Sequence, residues 1–552
     1  MVVDWSDAAR YAYASLFALS LNERYSESCD AQFRQQSLHH LLEHVKLMRC
    51  EPMMQLLMES ESGHTKDPYV HMLLEEPDFH RDGTRVVYEA LQWALMRGNY
   101  DARIRVILHD WAIQLFGLSV EHFEMLEDAI VLRVERGNVK PKSLQEEELQ
   151  KKEMKMKKIK KFALIGAASV GGGVLVGLTG GLVAPLVGAS LAALLGVGGG
   201  AGSVAGAAVI GSLFGAAGAG VSGYKMNKRV GDVEEFFFVR LSPGEGSRLS
   251  VTIAVPGWLP PPITNDENKL EINEEEDDDD DDDENSIDDE EEEEKEAIER
   301  RLMQSFEGLI HSTEQYGLQY ETKYLAEMGR AIETICSLAI SMAATEVLKM
   351  TIFHGLVTAV ALPRTILSLT SVIDNPWNVC CNRSAQVGQM LAETLMDGTF
   401  GRRPVTLCGF SLGARVVYFC LKELHRRGGQ GIVQDAVLIG TPVTGNPTEW
   451  RPLLDVVAGR LINAFSQNDW VLKIVYRTAS AAYDVAGLEG VHIQHDKFVN
   501  VDLSHLINGH GDYRTKAHQC LKAIGLLRVV PTTPTSNEQS QQDSPKEEDP
   551  TS

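Results

Sequence analysis

The chain has 552 residues, 44% of them hydrophobic, with 77 Asp+Glu against 52 Lys+Arg and 8 Cys. It is too long for one ordinary domain and too apolar for a disordered chain, so two or more folded regions are expected. The formal charge of −25 overstates the surface: residues 274–294 alone hold 18 acids and no base, leaving −7 for the rest, which argues against a nucleic-acid binder and against general attraction to anionic lipid. The cysteines run from Cys29 to Cys520 with no CxxC and one adjacent pair, Cys380 and Cys381, so their spacing offers neither a disulfide framework nor a zinc ligand set. Reducing, cytosol-facing surroundings fit this usage. The first residues, MVVDWSDAARYAY, lack the basic flank and apolar run of a secretory signal, so membrane insertion is expected from an internal segment.

Apolar residues recur at helical spacing through the start of the chain, as in Leu41, Leu42, Val45 and Met48, and again in Ile104, Leu108, Trp111 and Leu115. This predicts an all-helical N-terminal domain over residues 1–136. Residues 137–161 are strongly polar and end in KKEMKMKKIKK, which reads as a basic linker helix or short coiled coil. From Phe162 to Gly223 no residue is charged, enough for two membrane crossings at roughly 20 residues each. Lysines flank this segment before it (Lys151 to Lys161), and Lys225, Lys228 and Arg229 follow it, so both ends are expected in the cytosol and the number of spans is even. A Gly-rich transmembrane helical hairpin over 162–223 follows, with small residues four apart (Gly173, Gly177, Gly181) that let helices approach closely in lipid. Its rival is a Gly-rich soluble hairpin packed on a neighbouring domain.

Beyond Gly223 the period changes. Phe236–Leu241 and Leu249–Val255 are short β-branched or aromatic runs on either side of SPGEGS, predicting a hairpin-connected strand pair that opens a domain over 230–528. WLPPP (258–262) comes next and then the acidic run, so residues 260–295 read as a disordered insertion. Helical periodicity resumes over 296–331 around a strand near Tyr316–Tyr320, and residues 331–373 read as an apolar helical insertion, a buried helix or lid. From Pro404 strands and helices alternate: VTLCGF, a helix over Leu412–Arg427, AVLIGTPV, a helix near Pro452–Ala458, RLINAFSQ and KFVNVDL. Such alternation predicts an α/β fold with a mostly parallel sheet covered on both faces. Residues 529–552 read as a disordered tail.

Gly409-Phe410-Ser411-Leu412-Gly413 follows a strand and opens a helix, the setting a GxSxG elbow needs for its Ser hydroxyl to project above the sheet edge. The five letters alone carry little weight; their placement carries the inference. A serine hydroxyl attacks a carbonyl only if an imidazole takes its proton and a carboxylate orients that imidazole. Asp469 follows the strand RLINAFSQ, where it also suits an N-cap for the next helix. Five histidines lie in or near the last strand region: His492, His495, His505, His510 and His518. His510 is favoured because Gly509 and Gly511 permit an exposed loop geometry, whereas His505 sits within the more apolar LSHLI. The oxyanion donors are expected to be the amide of Leu412 and a second arm at Gly257 and Trp258, after the strand LSVTIAV. No HExxH, GxxxxGK[ST] or paired-Cys zinc spacing occurs.

The Gly-rich apolar segment, IAVPGWL, IDNPW (373–377), RRPVTLCGFSLGARVVYFCL (402–421), QNDWVL (467–472) and NVDLSHLINGHGDY (500–513) together resemble the transmembrane and coiled-coil domain-containing protein 4 family over about residues 100–525. That resemblance implies an α/β-hydrolase-like domain after a helical region and membrane segments, with Ser411, Asp469 and His510 on the family's triad positions. The acidic run after IAVPGWL departs from the family pattern close to the expected oxyanion arm.

The leading expectation is a membrane-anchored serine hydrolase acting on an ester or thioester of lipid type. It would be a multi-pass protein of an intracellular membrane, its N-terminal and hydrolase domains facing the cytosol. Its partners would be the lipid bilayer and an acyl-ester substrate, with no nucleic acid, and the chemistry calls for no metal or organic cofactor. Two rivals are a non-catalytic membrane scaffold or trafficking adaptor on a hydrolase fold, and a Gly-rich hairpin that is itself the active part through insertion or oligomerisation.

Overall fold

A computed structural model describes residues 5–60, 65–79, 82–137, 212–215, 233–241, 247–259, 306, 314–343, 364–476 and 484–526. The helical start of the chain forms as its periodicity predicts: α1 Asp7–Arg24, α2 Ala31–His44, α3 Glu51–Glu59, α4 Asp67–Leu74, α5 Gly83–Leu95, α6 Ala102–Asp110 and α7 Val120–Gly137. Side-chain caps set several starts, with Ser6 Oγ accepting from the Ala9 N–H and Asp101 Oδ1 from the Arg103 N–H. The inward stripes, including Phe17, Leu41, Leu91 and Leu108, bury a separate apolar core around Trp111, whose indole N–H donates to Ser20 Oγ at 2.8 Å.

The second core surrounds a seven-stranded mixed sheet, giving an α/β fold: β1 Phe236–Arg240, β2 Val251–Val255, β3 Glu314–Tyr320, β4 Val405–Phe410, β5 Val433–Ile439, β6 Leu461–Phe465 and β7 Phe498–Asp502, in the order β1-β3-β2-β4-β5-β6-β7. Every pairing is parallel except β1 with β3. The central strands VTIAV, VTLCGF and LINAF are buried at every residue, as parallel strands covered on both faces must be.

One expectation about the sheet is corrected. β1 and β2 are not a hairpin, because β3 lies between them, pairing Phe236 with Tyr320 on one side and Val251 with Glu314 on the other. The interposed strand is itself buried throughout, and Glu314 is held there by an ion pair to Arg403 at 2.7 Å. The insertion expected over 331–373 has no boundary at either end: a helix Thr322–Ala343 runs through the first and a helix Arg364–Met396 through the second, and the two pack together. The helix expected near Pro452–Ala458 starts earlier, as Pro447–Trp450 followed by a 3₁₀ turn Arg451–Asp455.

Residues 138–211 and 216–232 lie outside the described residues, and with them nearly all of the basic linker and Gly-rich hairpin; the acidic insertion 260–295 and the tail 529–552 do so too. Among the described residues no helix is long and apolar enough to cross a membrane. Residues 212–215, which the sequence placed inside the hairpin, instead pack into the folded body. The Arg402 N–H donates to Ser212 O, Ser212 Oγ donates to Gly98 O, each at 2.8 Å, and Leu213 joins the helical core. Burial of Leu213 in that core removes its apolar side chain from water without any lipid.

The helical region docks where the parallel strands begin. Tyr100 N–H donates to Arg402 O ahead of β4 and Ala102 N–H to Gly431 O ahead of β5, both at 2.8 Å, while Tyr25 Oη donates to Ala458 O ahead of β6 at 3.2 Å. Arg105, buried and paired with Glu127, also donates to Gln434 Oε1 of β5 at 2.6 Å. The opposite edge, where β4, β5, β6 and β7 end, lies roughly 20 Å away at ~3.3 Å per residue and is free to build a site.

Candidate active site

β4 runs into the helix Leu412–Arg427 through one residue, Ser411, held at φ 52°, ψ −120°. A non-glycine residue rarely occupies that region, and such strain clusters at functional positions. The elbow closes only because its neighbours lack side chains. A Cβ on Gly409 would lie 2.5 Å from the Gly413 carbonyl oxygen, and one on Gly413 2.0 Å from that of Val255. The Ser411 N–H donates to Ile439 O at 2.8 Å, fixing the turn to the end of β5.

Two further loops meet it. After β6, Asp469 is gripped twice: Oδ1 accepts from the Leu472 N–H at 3.1 Å, and Oδ2 lies 2.6 Å from His510 Nδ1. The N-cap role and the histidine contact thus coexist, one on each carboxylate oxygen. After β7, His510 presents Nε2 to Ser411 Oγ at 2.7 Å. With Asp469 accepting at Nδ1–H, Nε2 is left without a proton and accepts from the serine hydroxyl. The loops are tied together by Asn468 Nδ2 donating to Ser504 O at 2.8 Å and Ser466 Oγ donating to Ile507 O at 3.1 Å.

Of the five histidines considered, His510 alone is buried and meets Ser411; His492, His505 and His518 are exposed, and His495 lies elsewhere, beside Glu27. The reason given from sequence is corrected, however. His510 is fully buried rather than on an exposed loop, and neither Gly509 nor Gly511 takes a positive φ. Gly509 is small because Trp470 Nε1 would stand 3.0 Å from a Cβ there.

Gly257 passes against the nucleophile more closely than any side chain would allow: its Cβ would sit 2.2 Å from Phe410 O, 2.7 Å from Ser411 Cβ and 3.0 Å from Leu412 N. The loop is anchored by Tyr320 Oη donating to Pro256 O at 2.8 Å and the Leu259 N–H donating to Leu325 O at 3.2 Å. Leu412 heads its helix, where first-turn N–H groups have no intrahelical carbonyl. Trp258 does something the sequence did not foretell: its indole lies tilted at 30° over the His510 imidazole, centroids 5.0 Å apart. Tyr513, three residues after His510, packs edge-on against the same ring at 5.5 Å. Burial first, and then the negative charge of Asp469, push the Tyr513 hydroxyl well above the usual range, so it stays protonated. The i, i+3 spacing in GHGDY was a readable sign of that contact.

Ser411 is 1% exposed and Asp469 and His510 are 0% exposed, so the arrangement is closed to solvent. Beside it Pro256, Gly257, Trp258, Phe306, Phe410, Tyr513 and Arg514 surround a mostly apolar cavity of ≈ 20 Å³, about one water molecule. Chemically, a hydroxyl, an imidazole and a carboxylate in this order can relay a proton from oxygen to nitrogen with the resulting imidazolium held by the acid.

A family model described as "Protein of unknown function (DUF726)" matches residues 157–276 and 292–527. The chain belongs to that family. The match is to this wider family rather than to the transmembrane and coiled-coil domain-containing protein 4 branch specifically. The chain is 40% identical over 464 residues to an uncharacterized membrane protein of Caenorhabditis elegans, covering 83% of this chain and 69% of the relative. It is 32% identical to the transmembrane and coiled-coil domain-containing protein STS1 of Oryza sativa subsp. japonica, over 79% of this chain and 62% of the relative. It is 28% identical to a Saccharomyces cerevisiae protein named probable lipase MIL1, over 78% of this chain but 37% of that longer relative. No solved structure matches.

Proposed function

We propose that the chain is a serine hydrolase of α/β-hydrolase type that cleaves a carboxylic ester or thioester, of lipid kind, at a membrane. The observation that carries this reading is the run of contacts Ser411 Oγ to His510 Nε2 and His510 Nδ1 to Asp469 Oδ2, 2.7 and 2.6 Å, around a nucleophile held at φ 52°. In this reading Ser411 Oγ bonds to the substrate carbonyl carbon while its proton passes to His510 Nε2, and Asp469 stabilises the imidazolium. The carbonyl oxygen becomes an anion held by the Leu412 amide and by the loop at Gly257 and Trp258. The proton then moves from His510 to the departing alcohol or thiol as the acyl-enzyme forms, and a water molecule, deprotonated by His510, releases the acid.

The lipid part of the proposal has separate support. Trp258, Phe306 and Phe410 give the cavity apolar walls, the uncharged stretch 162–223 has basic flanks, the worm relative is named a membrane protein and the yeast relative a probable lipase. Membrane anchoring by that stretch, with the helical region and the sheet on the cytosolic side, belongs to the same proposal. The test is release of fatty acid from long-chain esters in mixed micelles by the full-length protein. The reading expects turnover that Ser411→Ala abolishes; equal turnover by both proteins would defeat it.

A scaffold or adaptor function is favoured by one observation, the solvent-closed state of all three residues. It predicts that Ser411→Ala leaves cellular function intact while deletion of 162–223 abolishes it.

A further inference from the structure

Between α2, the end of α5 and the loops that precede β4 and β5 lies a cleft of ≈ 600 Å³, at the strand ends opposite Ser411. Two guanidinium groups reach it from distant parts of the chain, Arg97 just after α5 and Arg402 ahead of β4. Their backbones are fixed together through Ser212, whose Oγ donates to Gly98 O and whose carbonyl accepts from the Arg402 N–H, each at 2.8 Å. The Tyr100 N–H adds a third tie, donating to Arg402 O at 2.8 Å. We propose that Arg97 and Arg402 form an anion site in this cleft for a phosphorylated polyol, free or as the headgroup of a membrane lipid.

The two arginines lack anionic partners of their own. Among the described residues the Arg402 guanidinium has neither an ion pair nor a hydrogen bond. Arg97 donates to His40 Nε2 at 2.6 Å, a neutral acceptor, and stands 3.8 Å from a Glu43 carboxylate oxygen in a pair whose side chains are 56% and 67% exposed, too open to hold it. Burial first and then the Arg97 charge keep His40 below its ordinary value, so the ring adds no countercharge. Arg103, a third guanidinium on the cleft, is already satisfied: it donates to Asp101 Oδ2 and Asp30 Oδ1, each at 2.8 Å, which also neutralises the acid lining the cleft, Asp101. Two cations on one wall repel, and an anion bound by both removes that cost. Guanidinium groups match phosphate oxygens bidentately. A bare phosphate would leave most of the cleft empty, since its volume is in the range that small organic ligands fill. Much of the remaining lining is amide or hydroxyl, Gln32, Gln36, Ser37, Asn99 and Gln430, groups that donate and accept as polyol hydroxyls require. Half-buried Trp93 offers a flat apolar wall for the ligand's C–H face. Because Ser212 belongs to the uncharged stretch proposed as the membrane anchor, a lipid headgroup is one source of such a ligand and a free polyol phosphate the other. The cleft is separate from the Ser411 site, and binding there does not depend on hydrolysis.

The experiment uses the full-length protein in neutral detergent micelles at ~0.15 M salt, where general surface attraction is screened. Radiolabelled inositol trisphosphate is the probe, followed by equilibrium dialysis, and short-chain phosphatidylinositol bisphosphate in the same micelles competes for it. The proposal expects about one saturable site per chain with Kd below ~100 μM. Arg97→Gln and Arg402→Gln change exposed side chains and leave the backbone ties in place, so each should weaken binding at least tenfold, whereas Arg49→Gln, exposed and outside the cleft, should change it less than twofold. In the wild-type protein the probe should protect Arg97 and Arg402 from phenylglyoxal, mapped by mass spectrometry, which decides the matter even if a variant fails to fold. Stronger binding by the lipid than by the free trisphosphate supports the site and assigns its ligand to the membrane; the reverse supports it and assigns a soluble ligand. No saturable binding up to ~1 mM, no protection of either arginine, or an equal loss in Arg49→Gln and the two cleft variants would overturn it.

Discussion

Replacing Asp469 by asparagine offers the sharpest reading of the proposed relay, because it keeps the side chain's shape and changes its chemistry. The amide oxygen would still accept from the Leu472 N–H, as Oδ1 does at 3.1 Å, so the loop start should survive. At the other position, 2.6 Å from His510 Nδ1, an amide NH₂ would oppose an N–H, and the imidazole would be driven to the tautomer that carries its proton on Nε2. That proton faces Ser411 Oγ at 2.7 Å and removes the acceptor the serine needs. With both groups 0% exposed, water cannot replace the lost charge. A change of this kind in a serine relay costs ~10⁴-fold in rate, about 5 kcal/mol of transition-state stabilisation at ~1.36 kcal/mol per decade. The assay is the second-order rate of fluorophosphonate labelling, with near-ultraviolet circular dichroism as the check on folding. Labelling of a well-folded Asp469→Asn protein within tenfold of the wild-type rate would refute the role given to Asp469.

Other outcomes follow from the same geometry. Gly257→Ala places a methyl 2.2 Å from Phe410 O and 2.7 Å from Ser411 Cβ, so it should cut hydrolysis by ~10²-fold through displacement of the nucleophile, measured as kcat on a soluble ester. Trp258→Ala removes the ring over His510 and should lower kcat more than it raises KM; an effect confined to KM would point to substrate contact alone. Glu314→Gln leaves the fully buried Arg403 guanidinium without its anion and should destabilise the protein by ~3–5 kcal/mol, measured by chemical denaturation. Burial alone would raise the Glu314 carboxyl, but Arg403, Tyr316 and the Arg248 N–H outweigh it and hold the group below the usual carboxylate range. Its stabilising contribution is therefore full above the unfolded value near ~4.3 and fades as pH falls through the lower folded value, so Glu314→Gln should flatten the acid limb of stability against pH.

Local patterns carried the parts of this structure that local forces decide. The stripe of Phe17, Leu41 and Leu108 marked helices, buried runs such as VTLCGF marked parallel strands, and the glycines around Ser411 marked a turn too tight for side chains. What stayed hidden depends on distant partners. β3 enters between β1 and β2 after a long acidic stretch, so two apolar runs with a Pro/Gly turn looked like neighbours. Likewise nothing in KFVNVDLSHLINGHGDY says that His510 is buried under Trp258, a residue about 250 positions earlier. The docking of residues 212–215 beside Arg402 was invisible for the same reason, since composition there matches the preceding apolar stretch.

The most direct measurement of the central claim is mass-spectrometric mapping of the adduct formed when the full-length protein reacts with a fluorophosphonate. The account predicts a single modified peptide carrying the adduct on Ser411, and no adduct when His510 is changed to Ala. Modification of another residue, or an undiminished adduct on Ser411 in that histidine variant, would contradict it.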